Sequence, residues 1–139
     1  MKRLLVLMFI VTMSSCSNSE NTKNANPSNI LGRWYVIQLN QDPAEWPLGE
    51  CKKLGYLEFY SNGSYQEIGG YDDNNNTCLT RQNQGEWSIV DGVLVLNDMT
   101  ENYIYYIEKF EISGNRLTLY RPPSNPPYNE IFIEIYEKR

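Results

Sequence analysis

The chain has 139 residues, a net charge of −5 and no histidine. The missing histidine removes the Ser-His-Asp and Cys-His routes to an activated nucleophile, imidazole ligation of zinc, and the usual general base near neutral pH. An acidic balance without a basic stripe speaks against nucleic acid as a partner and gives no attraction to anionic lipid headgroups.

Lys2 and Arg3 precede an apolar run over residues 4–11, and small residues follow up to Ser15. Positive, apolar, then small is the order of a secretory signal peptide. The run is too short to cross a bilayer, which takes about 20 residues. Cys16 comes next, and Ser14-Ser15-Cys16 resembles the lipobox of bacterial lipoproteins, with Met13 where that family usually has Leu. The resemblance implies cleavage before Cys16 and lipidation of its thiol, with enough acyl chains for a stable anchor. Ser17 lacks the Asp that resembles an inner-membrane retention signal in enteric bacteria, so an outer-membrane lipoprotein is expected, facing either the periplasm or the surface. The membrane would be touched through this anchor only. Residues 17–29, SNSENTKNANPSN, are nearly devoid of apolar side chains and read as a flexible tether. The expected organisation is a signal peptide over 1–15, a lipidated N-terminus and tether over 16–29, and one folded domain over 30–139.

From there the chain reads as short strands separated by turn residues. They are expected over 31–40, 54–60, 64–68, 85–90, 93–97, 104–112, 116–121 and 131–137, with tight turns at Asn62-Gly63, Asp91-Gly92 and Gly114-Asn115. The prolines fall between strands. With Cys16 lipidated, Cys51 and Cys78 are an even pair in an oxidising compartment, which reads as one disulfide. Pairing about Asn62-Gly63 as a two-residue loop sets Cys51 opposite Asn74, and Cys78 can reach it across Gly69-Gly70 and an Asn-rich stretch, both read as flexible. The same register sets Glu58 opposite Glu67. Opposed carboxylates could support glycoside hydrolysis, but exposed strand faces collect glutamate for solubility, and no enzyme is expected.

Hydrophobicity alternates with period two. In the last strand Ile131, Ile133 and Ile135 form an aliphatic face expected to pack, while Phe132, Glu134 and Tyr136 form the face expected to meet water. Eight such strands suit an all-β, antiparallel, up-and-down barrel, closed because closure removes exposed edges. The interior of such a barrel either fills with side chains or holds one small ligand.

Gly32-Arg33-Trp34 opens the first strand, Cys51 precedes Leu57-Glu58-Phe59, and Asn62-Gly63 and Cys78 follow. Gly85-Glu86-Trp87 then precedes Leu94-Val95-Leu96, and Asn115-Arg116-Leu117-Thr118-Leu119 comes last. This ordered set resembles the lipocalin-like lipoprotein domains common in Bacteroidetes, within the lipocalin and calycin group. The resemblance implies an eight-stranded lipocalin-like barrel that can bind a small apolar or amphipathic molecule.

Trp34 with Val36, and Trp87 with Ile89, would share an inward face, joined by Phe59, Tyr65, Leu94, Leu96 and Leu117. These side chains either plug the barrel as core or line a ligand cavity, which would be apolar and of about 300 Å3 or more. Trp46 lies in a Pro-flanked stretch read as a loop, either as a lid over the barrel mouth or as an exposed contact for a protein or glycan. Asp72, Asn74 and Asn76 begin a calcium-loop pattern, but Thr77 and Asn83 stand where Gly and Glu are needed. No metal or cofactor is expected. The sequence thus points to a non-enzymatic, monomeric envelope lipoprotein that binds a small apolar ligand, or alternatively to an interaction module using its outer surface and aromatic loops.

Overall fold

The computed structural model describes residues 27–41, 44–73, 75, 77–121 and 131–139. Cys16, the signal peptide, most of the tether, Asn74, Asn76 and the proline-rich stretch 122–130 lie outside the described residues. One helical turn, α1 (Pro27–Ile30), stands where the end of the tether was expected. Ten strands follow: β1 (Gly32–Gln41), β2 (Ala44–Trp46), β3 (Tyr56–Phe59), β4 (Ser64–Asp72), β5 (Cys78–Val90), β6 (Val93–Asp98), β7 (Tyr103–Ile107), β8 (Lys109–Ser113), β9 (Arg116–Arg121) and β10 (Phe132–Lys138). All pairings are antiparallel, and the sheet runs β7-β6-β5-β4-β3-β1-β10-β9-β8.

The expected eight strands become ten segments for two reasons. The strand expected over 104–112 breaks at Glu108, so that β7 pairs with β6 and β8 pairs with β9. This bent strand joins the two ends of the sheet, with β7 against β9 and β6 against β8, which nearly closes the barrel. The second addition is β2, which folds back on β1 with Trp46 paired to Leu39. Trp46 is therefore on a short strand, not on the expected loop. β5 also starts seven residues earlier than expected, because Thr80-Arg81-Gln82-Asn83-Gln84 carries no apolar alternation to betray a strand.

Turn chemistry sets the register. Asp91-Gly92 closes β5 and β6 as a two-residue loop with both residues at positive φ, as a type I′ turn requires. The turn between β3 and β4 differs from expectation. Its loop has three residues, Ser61, Asn62 and Gly63, with Tyr60 N–H donating to the Ser64 carbonyl at 2.9 Å. Gly63 alone takes positive φ (85°), while the Asn62 side chain accepts from Ser64 N at 3.0 Å and Ser64 Oγ at 2.7 Å. One extra loop residue slips the pairing by one and sends alternate side chains to the other face. Glu67 therefore lies opposite Leu57 and Glu58 opposite Gln66, which corrects the expected Glu58–Glu67 pair. Glu58 points outward and takes Arg33 Nη2 at 2.7 Å, while Glu67 shares the inward face of Leu57 and Tyr65.

Gly70 is buried within β4 and is not part of a flexible link. A Cβ there would collide with the Cys51 carbonyl, so the glycine lets the 3-10 turn Lys52–Leu54 pack on the strand. That approach helps Cys51 and Cys78 to meet in a disulfide, with Cα atoms 5.1 Å apart. The core lies within the barrel and comprises Ile30, Trp34, Val36, Leu57, Phe59, Tyr65, Leu94, Leu96, Ile107, Leu117, Leu119 and Tyr136. Trp87 and Ile89 are half-buried against it.

Candidate functional site

The two ends of the barrel differ. At one end α1 and the first Gly-x-Trp make a plug: Trp34 is fully buried, its indole N–H donates to the Ile30 carbonyl at 2.6 Å, and the Lys138 ammonium sits 4.6 Å from its ring centroid. Trp87 closes the same region by packing edge-on to Phe59 and donating to the Tyr60 carbonyl at 3.0 Å. The aromatic bodies provide the apolar area while each indole N–H finds an acceptor, as burial of tryptophan demands.

Moving along β1 from Trp34 toward Leu39, the packing opens. A bulge at Ile37 shifts the register against β10, so that Val36 opposes Tyr136 and Leu39 opposes Glu134. Val36 and Leu39 thereby come to one wall, although strict alternation from Trp34 and Val36 would leave Leu39 on the outer face. They line a cavity of about 130 Å3, partly open to solvent, with Lys52, Gly55, Tyr56, Glu67, Ile68, Gly69, Gly70, Glu134 and Tyr136. That is smaller and more polar than the expected apolar cavity, because Trp34, Phe59 and the leucines of the plug fill the rest of the barrel. An engineered apolar cavity of roughly 150 Å3 admits benzene, so the space suits a small ring or a short chain.

Behind the cavity lies a charge cluster that strand patterning does not announce. Arg121, at the end of β9, has a side chain only 11% exposed. Its Nη2 donates to Glu67 Oε1 on β4 at 2.9 Å and its Nε donates to Glu134 Oε2 on β10 at 2.5 Å. The Tyr136 hydroxyl donates to the same Glu134 oxygen at 2.9 Å, and the Tyr105 ring centroid lies 5.6 Å from the guanidinium carbon. The face of β10 expected to meet water is thus partly reversed: Glu134 and Tyr136 face inward, and Ile133 and Ile135 lie on the opposite face. A charged residue can turn inward here because Arg121 neutralises it.

Burial pushes the Glu67 carboxyl above the usual range, opposed by the pull of Arg121 and reinforced by Glu134 and Asp98. Burial alone would lower the Arg121 guanidinium, but Glu134 and Glu67 outweigh it and hold it well above its ordinary value. The Tyr136 phenol is raised by burial and then by Glu134, and the Tyr65 phenol by burial and then by Asp98 and Glu67. Asp98 is fully buried but satisfied: it accepts from Asn83 Nδ2 at 3.0 Å and from the backbone N–H groups of Thr100 and Glu101 at 2.8 and 3.0 Å.

Of the residues expected on the inward face, Val36 lines the cavity, and Glu67, considered only for an opposed carboxylate pair, lines it too. Trp34, Phe59, Tyr65, Leu94, Leu96 and Leu117 are buried core, and Trp46 is exposed at 51%. Glu67, Arg121, Glu134 and Tyr136 were not singled out as lining, and the inward turn of Glu67 was hidden by the three-residue loop. In the segment that begins a calcium-loop pattern, the Asp73 carboxylate accepts from the Thr77 and Asn75 N–H groups at 2.7 and 2.8 Å, which lowers its pKa. Cys51, Asp72 and Cys78 converge, but the two sulfurs are bonded to each other.

The sequence profile of the lipocalin-like domain family matches residues 30–119. A stretch of dipeptidyl aminopeptidase B of Saccharomyces cerevisiae is 27% identical over 134 residues, covering 95% of this chain but 15% of the yeast protein. Among solved structures, a bovine lipocalin allergen superposes with a TM-score of 0.54 at 20% identity, over 82% of this chain and 75% of that one. An odorant-binding protein gives 0.52 at 16% identity over 82% and 74%, and lobster apocrustacyanin A1 gives 0.52 at 13% over 84% and 64%. At such identities the likeness concerns the fold. With its barrel, its two Gly-x-Trp strands and a profile match over most of the folded domain, the chain belongs to the lipocalin-like domain family.

Proposed function

We propose that this protein is a non-enzymatic envelope lipoprotein, held to the outer membrane by acylated Cys16, whose barrel binds a small amphipathic molecule at its open end. The observation that carries the binding reading is the cavity beside Val36, Leu39 and Tyr136, since the opposite end is plugged by Trp34 and Trp87. The envelope reading rests on the order of residues before Cys16. The non-enzymatic reading is supported by the family, and by a chain without histidine to activate a nucleophile, so the short match to a yeast aminopeptidase brings no peptidase chemistry with it. Native mass spectrometry of the protein purified from its own host tests both parts. An N-terminal mass corresponding to acylated Cys16 and a small molecule released on denaturation support the proposal. An unmodified N-terminus refutes the anchor, and a chain that binds neither host-derived nor added small molecules refutes the binding role.

A second reading, a protein- or glycan-interaction module, is favoured by Trp46, which stands half-exposed on β2. If that is the working surface, Trp46→Ala abolishes binding to envelope glycan or protein fractions while leaving cavity ligands unaffected.

A further inference from the structure

Resting on the small-molecule reading above, we propose that the cavity selects ligands bearing a positively charged nitrogen, with Glu67 and Glu134 as the counter-charges and a small apolar body against Val36 and Leu39. The wall shows the acids and not the base. Both carboxylates line the cavity with Tyr136, whereas Arg121 is not part of the lining. Arg121 engages one oxygen of each carboxylate, so one cation is shared between two anions, and each carboxylate keeps a second oxygen. Among the described residues the one cation in the lining is Lys52, an exposed residue of the 3-10 turn.

An independent observation points the same way. Tyr65 is 2% exposed, and its hydroxyl has no hydrogen-bond partner among the described residues. It lies on the inward face two residues before Glu67, in the field of Asp98, Glu67 and Arg121. Asn83, paired across from Glu67, leaves its buried Oδ1 without a partner among the same residues. Unpaired buried polar atoms are uncommon enough to need an explanation. Neither Tyr65 nor Asn83 is part of the cavity lining and the Tyr65 hydroxyl can donate as well as accept, so the surplus of acceptors rests on the two carboxylates of the wall, with the Asn83 amide oxygen beside Glu67. An ammonium brings three donors and no acceptor, which suits that surplus, whereas a carboxylate ligand would add to it. A divalent metal is disfavoured, because Arg121 sits between the two glutamates and no third carboxylate or thiolate joins them in a ligand set among the described residues.

The test is a titration of the full folded domain with three probes of matched size, benzylamine, benzyl alcohol and benzoate, followed by two-dimensional amide NMR at pH 7. Benzylamine should bind about tenfold or more tightly than benzyl alcohol, the scale of hydrogen bonds to charged groups, with benzoate weakest. Shifts should centre on Leu39, Glu67 and Glu134. In Glu67→Gln the amine should lose most of its advantage while the alcohol binds as before. Equal binding of amine and alcohol, or a preference for benzoate, overturns the inference and leaves small-molecule binding intact. Failure of all three probes to bind overturns the inference, while the small-molecule reading is decided separately by the native mass spectrometry of host-purified protein. The comparison among probes on the unaltered protein decides the matter even if the variant does not fold.

Discussion

Replacing Arg121 by methionine isolates the charge cluster, because methionine keeps an unbranched apolar stem and removes the cation. Two carboxylates are then left without a counter-charge, Glu134 keeping only the Tyr136 hydroxyl, in a site where the arginine side chain was 11% exposed. Removing one partner of a buried ion pair typically costs about 3–5 kcal/mol. The protonation equilibrium limits the loss, since an uncompensated glutamate can take up a proton instead. From an ordinary pKa near 4.3, that uptake costs about 3.7 kcal/mol per carboxylate at pH 7 and about 1 kcal/mol at pH 5. The expected destabilisation is therefore about 3–5 kcal/mol at pH 7, falling to about 1–2 kcal/mol at pH 5. Urea unfolding of both proteins at the two pH values, followed by tryptophan fluorescence, measures the difference. Replacing Glu67 and Glu134 by leucine alongside Arg121→Met should restore most of the stability, because no charge is then stranded. A cost below about 1 kcal/mol at pH 7, or the same cost at both pH values, would show that Arg121 acts by packing and not by neutralising the two glutamates.

Three further perturbations probe separate parts of the argument. Glu67 has a folded pKa above its unfolded value, so the folded state holds the proton more tightly. Its contribution is full below the ordinary glutamate pKa and is lost as pH rises through the raised folded value. Unfolding midpoints of Glu67→Gln should therefore fall less than those of the parent as pH is raised from 4.5 to 7.5, and parallel curves would contradict the shift. Breaking the disulfide with Cys51→Ala and Cys78→Ala opens a loop of sequence separation 27 and should cost about 3–4 kcal/mol in denaturant unfolding, with the chain-entropy account failing if the loss is below about 1 kcal/mol. Gly70→Ala drives a methyl group into the Cys51 carbonyl and should cost about 1–3 kcal/mol or more by thermal unfolding, whereas Gly69→Ala, whose Cβ meets open space, should be nearly neutral.

The strand pattern was legible because turns and alternation are local. Asp91-Gly92, Gly114-Asn115 and the two Gly-x-Trp strands announce themselves within a few residues, and the first and last strands fall within one residue of where periodicity puts them. Three features were not local. The three-residue loop at Ser61-Asn62-Gly63 looks like a two-residue turn in sequence, and the single-residue slip hides that Glu67 points inward. The break at Glu108 becomes visible only when β7 and β8 are seen to take different partners. The reversed face of β10 depends on Arg121, a residue on another strand whose charge makes an inward Glu134 tolerable. Gly70 misled differently: it reads as flexibility, whereas its role is a close approach to the Cys51 carbonyl.

That dependence bears on what the cluster is for. A barrel of this size could fill its interior with leucine throughout, as it does around Trp34, Leu94, Leu96 and Leu117. Ion pairs in such a place add little net stability, because desolvation offsets their attraction, and apolar replacements of similar volume are often neutral or better. Glu67, Arg121 and Glu134 are therefore poorly explained as cement. They also stand where the apolar packing gives way to the cavity, with two of the three lining it and two buried polar atoms near Glu67 lacking partners among the described residues. A site that carries desolvated charge without stability to show for it is better accounted for by what enters it. The polar half of the barrel and its open end are then one feature, and the apolar plug at the other end supplies the rigidity that keeps the charges in place.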